Sequence, residues 1–332
     1  MIRIGTRESQ LALWQATQVK NLLENFGVPA SLTPIRSDGD VDLVTPLYAM
    51  GVQGVFTRAL DIALLNNQID IAVHSMKDVP VQLPEGIVEA AVLERASYKD
   101  ILVLNENWKA SGADYSLEDL KHLIAGDEKS EISSDSYRDQ KSEISNLIIA
   151  TSSVRRKAQW LNRFPNHTIE NIRGNVNTRL RKLSESNWFG AIFAAAGLER
   201  IGLRPANSID LDWMLPAPAQ GAIMVTARKG DGSVLRACNR INHLQTAFCV
   251  KTEREFLSEL MGGCSTPISA LAAFENDQLR FRGSVVSPDG TEKIEVNEWY
   301  RLDETRTPGT QAAQSILEKG AKAVLSKMND GR

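Results

Sequence analysis

The sequence is poor in cysteine: three thiols, Cys238, Cys249 and Cys264, in 332 residues, with no Cys-x-x-Cys pair. So few cannot build a disulfide framework, and a reducing compartment is the default. Long hydrophobic runs are also missing. The longest apolar stretch, Phe189 to Leu198, falls far short of the roughly 20 residues a membrane span needs. No Gly-x-x-x-x-Gly-Lys or Gly-x-Gly-x-x-Gly loop occurs. The four histidines (His74, His122, His167, His243) are scattered, none beside another ligand at metal-binding spacing. ATP, dinucleotide and zinc chemistry are therefore disfavoured, and no metal is expected. Charge of one sign is lacking too. Lys+Arg 38 against Asp+Glu 41 gives −3, no global reason to expect nucleic acid or an anionic membrane as partner. With two arginines and a glutamate by position 8, no signal peptide is expected.

What is present is an ordinary globular composition, long enough for two or three domains. Strand and helix alternate over the first ninety residues. Strands are expected at 2–6, 31–35 and 69–73, and helices from Ser9 to about Phe26 and over 55–66, the first with Leu11, Trp14, Val19, Leu22, Leu23 and Phe26 on one face. A second α/β unit begins near Asp100, with strands at 146–150, 168–172 and 188–194. Its helices start at Ser152 or Ser153 and at Asn175 or Asn177. Pro216 and Pro218 mark a linker, and 222–227 reads as a strand returning to the first sheet. The last hundred residues form a separate α+β unit, with a helix at 246–260, strands at 269–274, 278–286 and 293–300, and a helix at 310–326. The expected domains are 1–95 with 219–242, 99–215, and 243–332. The stretch 109–146 holds nine acids, five bases and eight serines. Its second half, 126–145, reads as a solvated, flexible insertion.

Arginine placement is the informative anomaly. Helix N-termini prefer acids in their first turn, yet Arg7 precedes the Ser9 helix, Arg155 and Arg156 open the next, and Arg173 and Arg179 flank a third. Any one of these could simply reach solvent. Three such junctions at the carboxyl edge of α/β sheets point instead to a ligand bearing several carboxylates or phosphates, bound between the two units. The turn His74-Ser-Met-Lys-Asp-Val-Pro80 follows a buried strand. Pro80 keeps Val79 out of helical geometry, so Lys77 and Asp78 sit on a rigid turn. It reads as a surface Lys-Asp turn or as a carboxylate held beside a cation at the cleft mouth. Cys264, in Met261-Gly-Gly-Cys-Ser-Thr-Pro267, reads as a packed thiol or as a reactive, modified one.

Seven segments, in order, resemble the porphobilinogen deaminase (hydroxymethylbilane synthase) family. They are Arg3-Ile-Gly-Thr-Arg-Glu-Ser-Gln-Leu-Ala-Leu-Trp-Gln15, Asp70 through Pro80, Thr151-Ser-Ser-Val-Arg-Arg156, Arg173-Gly-Asn-Val-Asn-Thr-Arg-Leu180, Ala196-Gly-Leu-Glu-Arg200, Leu215-Pro-Ala-Pro-Ala-Gln-Gly221 and Gly262-Gly-Cys264. The resemblance implies two α/β domains like those of periplasmic binding proteins plus a small C-terminal α+β domain. It implies a cytoplasmic, monomeric transferase that condenses four porphobilinogen molecules head to tail, with loss of ammonia, into hydroxymethylbilane. The product would pass to uroporphyrinogen-III synthase. It further implies a dipyrromethane cofactor in thioether linkage to Cys264. By family position Ser75, Lys77, Asp78, Thr151, Ser153, Arg155 and Arg156 hold the cofactor. Arg7, Ser9, Phe56, Arg173, Arg179, Arg200 and Gln220 face substrate, and Asp78 is catalytic.

Several positions depart from the family pattern. Gln10 stands for a usual proline, Asn177 for a usual glycine and Ala219 for the first glycine of Gly-Gln-Gly. Ala49 and Gln53 stand where lysines are frequent. The rival expectation is a non-catalytic tetrapyrrole- or polycarboxylate-binding protein on the same two-lobed fold.

Overall fold

The computed structural model describes residues 1–36, 57–108, 117–125, 146–260, 266–301, 303 and 305–327. Cys264, Phe56, Ala49, Gln53 and the expected insertion at 126–145 lie outside the described residues.

The chain opens with β1 (Ile2–Thr6), α1 (Gln10–Asn25), β2 (Ala30–Pro34), α2 (Arg58–Leu65), β3 (Ile71–Ser75) and β4 (Ile87–Val92). It then crosses to β5 (Asp100–Leu104), α3 (Leu117–Ala125), β6 (Ile148–Ala150), α4 (Val154–Arg163), β7 (Thr168–Glu170) and α5 (Val176–Ser184). After these come β8 (Gly190–Ala194), α6 (Ala195–Glu199) and β9 (Ser208–Asp210). A second crossing leads to β10 (Ile223–Arg228) and α7 (Gly232–Asn239). The last part holds α8 (Leu244–Glu259), β11 (Ile268–Glu275), β12 (Gln278–Val286), β13 (Lys293–Tyr300), α9 (Pro308–Ile316) and α10 (Lys322–Ser326).

Two five-stranded mixed sheets share one plan. The first runs β2-β1-β3-β10-β4 and the second β7-β6-β8-β5-β9. In each, four strands run one way and the single antiparallel strand, fourth in order, is the one that arrives from the other unit: β10 beside β3, and β5 beside β8. The return of 222–227 to the first sheet was legible from sequence. The carboxyl ends of β1, β3 and β6 each feed a helix or turn, the usual ligand-binding edge of such sheets. The third sheet, β11-β12-β13, is antiparallel and buries one face against α8 and α9 through Phe256, Phe281 and Ile316.

Gly221, at the second crossing, explains how tightly the two connections run. Its φ is +86°, and a Cβ there would lie 2.6 Å from the Ser97 carbonyl on the first crossing. Only glycine meets both conditions.

Two expectations needed adjusting. The buried stripe of α1 is Gln15, Ala16, Val19 and Leu23, while Trp14 lies under the Arg200 guanidinium, 5.6 Å away, and Phe26 under Arg240. An apolar stripe thus serves both the core and the facing unit. The expected single helix at 310–326 breaks at Gly320, whose φ of +99° is non-helical.

Candidate active site

Three helix starts border the cleft, capped by Ser9, Ser153 and Asn175 side chains, which accept from Ala12, Arg156 and Thr178 N–H. None of the three helices has an acid in its first turn, as the sequence indicated. Ser152 accepts from the Ile172 N–H at 3.0 Å and donates to its carbonyl at 2.8 Å. It thereby staples the β6 and β7 loops together. Thr151 is buried and accepts from the Ser153 N–H at 3.2 Å.

Arg155 and Arg156 do not simply point at a ligand. Both turn inward onto Asp100, a fully buried residue at the start of β5. Arg155 Nη2 lies 2.7 Å from Oδ2. Arg156 donates to Oδ1 from Nη2 at 2.7 Å and from Nε at 3.0 Å. Each also donates to a carbonyl, Leu215 and Ile192 respectively. Burial alone would raise the Asp100 carboxyl, but Arg155, Arg156 and Lys77 overcome it and hold it down to about 2. One carboxylate thus organises three cations and leaves two positive charges uncompensated. Asp100 was missed from sequence; its signal was an acid opening an otherwise wholly apolar strand, Asp100-Ile-Leu-Val-Leu104.

Gln220 was expected to face substrate. The structure buries it completely. Its amide donates to the Tyr98 carbonyl at 2.8 Å and to Asp100 at 2.9 Å, and its oxygen accepts from Lys77 at 3.3 Å. It orients the polar floor of the cleft rather than standing open on its wall. Gln15, also missed, donates to Ser75 Oγ at 2.9 Å and so fixes that hydroxyl.

The 3₁₀ turn Met76–Asp78 follows β3 directly. Burial, with Arg156 nearby, pulls Lys77 down to about 8 against the opposing fields of Asp78 and Asp100. Half-buried Asp78 also acts on Arg179 from the facing unit, where burial and Arg156 lower the guanidinium to about 10. Asp78 therefore stands between cations of both units. Arg179 Nε donates to the Gly174 carbonyl at 2.8 Å, and Arg173 is buried beside it. Arg200 donates to the Gly221 carbonyl at 2.7 Å. Arg7 lies close enough to His74 to help burial lower that imidazole to about 4. Among the described residues, seven cations (Arg7, Lys77, Arg155, Arg156, Arg173, Arg179 and Arg200) share the cleft with two acids, Asp78 and Asp100. Two buried donors, Arg155 Nε and Arg200 Nε, have no acceptor among the described residues. An unsatisfied buried guanidinium N–H is costly, so the arrangement suits a polyanion.

Comparison with known proteins decides which one. Residues 2–236 match the family model described as porphobilinogen deaminase, dipyromethane cofactor binding domain, and 247–318 match porphobilinogen deaminase, C-terminal domain. The chain belongs to the porphobilinogen deaminase family. A porphobilinogen deaminase from Syntrophomonas wolfei is 39% identical over 328 residues, covering 98% of this chain and 97% of that one. One from Pelotomaculum thermopropionicum is 38% identical over 330 residues, covering 98% and 96%. Among solved structures, the BvgS VFT2 domain of Bordetella pertussis overlaps with a TM-score of 0.39 at 9% identity, covering 72% of this chain and 85% of that one. An arginine-specific periplasmic binding protein of Salmonella typhimurium overlaps at 0.34 and 11%, covering 74% and 93%.

The family's dipyrromethane cofactor carries an acetate and a propionate on each pyrrole ring. The excess cations and the two orphaned guanidinium donors fit such a group.

Proposed function

We propose that the cleft between the two mixed sheets is the active site of a porphobilinogen deaminase, with the residues named above in the following roles. The chain polymerises porphobilinogen into hydroxymethylbilane for tetrapyrrole biosynthesis. The observation that carries the site assignment is the clustering of Lys77, Arg155, Arg156 and Arg179, from both units, around Asp78 and Asp100.

The bound dipyrromethane, in thioether linkage to Cys264, supplies the nucleophilic pyrrole end from which the chain grows. Arg155, Arg156, Lys77, Ser75, Thr151 and Ser153 hold its carboxylates, with Asp100 and Gln220 keeping the two arginines and Lys77 in place. Preorganised, desolvated cations of this kind bind carboxylates without reorganising on arrival. Arg7, Ser9, Phe56, Arg173, Arg179 and Arg200 receive the acetate and propionate of each incoming ring. Loss of ammonia leaves positive charge on the substrate's methylene and ring. The Asp78 carboxylate, unlike Asp100 not committed to Arg155 and Arg156, stabilises that charge and takes the pyrrole proton. Lys77, lowered toward neutrality, sits beside it as a donor.

The domains follow as 1–95 with 219–242, 99–215, and 243–332. No helix among the described residues is long and apolar enough to cross a membrane, and the family resemblance supports a cytoplasmic monomer that delivers its product to uroporphyrinogen-III synthase.

The deciding experiment is the intact mass of protein purified with porphobilinogen available during expression. A covalent increment of two pyrrole units, absent in Cys264→Ser, is expected. In parallel, Asp78→Asn keeps the increment and loses most turnover. Unmodified wild type, or normal turnover in Asp78→Asn, defeats the respective assignment.

A further inference from the structure

The turn bearing Lys77 and Asp78 is held from outside its own unit. At its entrance the Met76 N–H donates to the Ala222 carbonyl at 3.0 Å, and the Val79 N–H closes the turn onto the Met76 carbonyl at 3.1 Å. Beneath it, Met76 and Val79 are buried against Val250 of α8. One helical turn further along the same helix stands Arg254, 9% exposed. Its guanidinium donates from Nη1 to the Val79 carbonyl at 2.9 Å, and from Nη2 to those of Pro80 at 2.6 Å and Val81 at 3.2 Å. These carbonyls follow Asp78 immediately, in chain that is neither helix nor strand, so no ladder supplies their donors. The planar guanidinium fork suits several acceptors at fixed angles in a way a lysine ammonium does not.

We infer that Arg254 is a positioning residue for Asp78: by clasping the three carbonyls after the turn, it sets where the carboxylate stands in the cleft. The inference rests on the reading of Asp78 given above. The clasp comes from α8, and Cys264 follows Arg254 by ten residues in the sequence. The helix that precedes the cofactor cysteine in sequence thus also fixes the carboxylate. A reacting group displaced by about 1 Å loses on the order of a hundredfold in rate, which is the scale on which the clasp acts.

The test uses the holoenzyme with Arg254→Met, Arg254→Lys and Asp78→Asn. In Arg254→Met the covalent mass increment is retained, kcat falls roughly 10- to 100-fold and KM stays within about threefold. Amide hydrogen exchange over 76–82 accelerates at least about tenfold, with β3 and α8 unchanged. Arg254→Lys recovers part of both losses. A folded, loaded Arg254→Met with kcat within about twofold of wild type, or with unchanged exchange over 76–82, overturns the inference. If Arg254→Met does not fold, Arg254→Lys and Pro80→Ala decide. Faster exchange over 76–82 with normal kcat in both rejects the positioning role, and a kcat-specific loss in both supports it. Normal turnover in Asp78→Asn would instead reject the reading of Asp78 itself, so the two failures are distinguishable.

Discussion

Glu253, fully buried on α8, accepts from Arg95 Nη1 at 2.6 Å and from Nη2 at 3.2 Å. The same carboxylate takes the Ala219 N–H at 2.6 Å and the Ala272 N–H at 2.8 Å. Arg95 lies on the first crossing between the sheets, Ala219 on the second, and Ala272 on β11, so one ion pair fastens both crossings to the third sheet. Removing one partner leaves a buried charge uncompensated. Glu253→Gln and Arg95→Met should each lower unfolding stability by roughly 3–5 kcal/mol. Denaturant titration measures this; a loss below about 1 kcal/mol would return the pair to the class of surface bridges.

A second bridge spans the cleft itself. Asn177 Nδ2 donates to Gln10 Oε1 at 3.0 Å, joining the first turns of α1 and α5. These are two of the positions where the family resemblance led one to expect other residues, and they meet each other. The contact is exposed and neutral, so a double-mutant cycle with Gln10→Ala and Asn177→Ala should give a coupling of about 0.5–1 kcal/mol. A coupling indistinguishable from zero would mean the two departures are independent.

Ala219, the third departure, has a φ of +61°, a conformation that costs an L-residue about 1–2 kcal/mol. Its methyl is fully buried beside Met76 and Met224. Ala219→Gly relieves the strain and loses the packing, so thermal melts should show a net change within about 1 kcal/mol. Gly221→Ala, two residues on, meets both positive φ and the Ser97 carbonyl and should cost at least about 2 kcal/mol. Equal effects at the two sites would contradict this account.

His74, buried and 3.4 Å from Thr226 Oγ1, carries a pH dependence. Burial, helped by Arg7, lowers it from 6.5 to about 4. Between those values the unfolded chain binds the proton and the folded chain does not, so stability rises with pH across pH 4 to 6.5 and is lost as pH falls. The loss amounts to about 3 kcal/mol. Asp61, Glu89 and Glu255, raised by burial, act with opposite sign in the acid range. The difference between wild type and His74→Gln removes their contribution. Wild type should lose its advantage toward pH 4, and parallel profiles would show that His74 is not the group responsible.

The alternation of elements, the Ser9 and Ser153 caps, β1, β12 and β13 at their observed bounds, and the basic helix starts were all legible in the sequence. Each rests on local chemistry: apolar periodicity, capping side chains, and charges placed against the helix dipole. The motifs identified the family for the same reason, because the residues proposed for substrate and cofactor lie in short contiguous stretches. What only the tertiary structure decided is how those charges are balanced. Asp100 and Gln220, 120 positions apart, neutralise and orient arginines that the sequence shows merely as basic. Glu253 and Arg254 reach the first crossing and a turn more than 150 residues away from α8. A buried charge takes its partner from wherever packing brings one within hydrogen-bond reach, and nothing in local sequence records that distance.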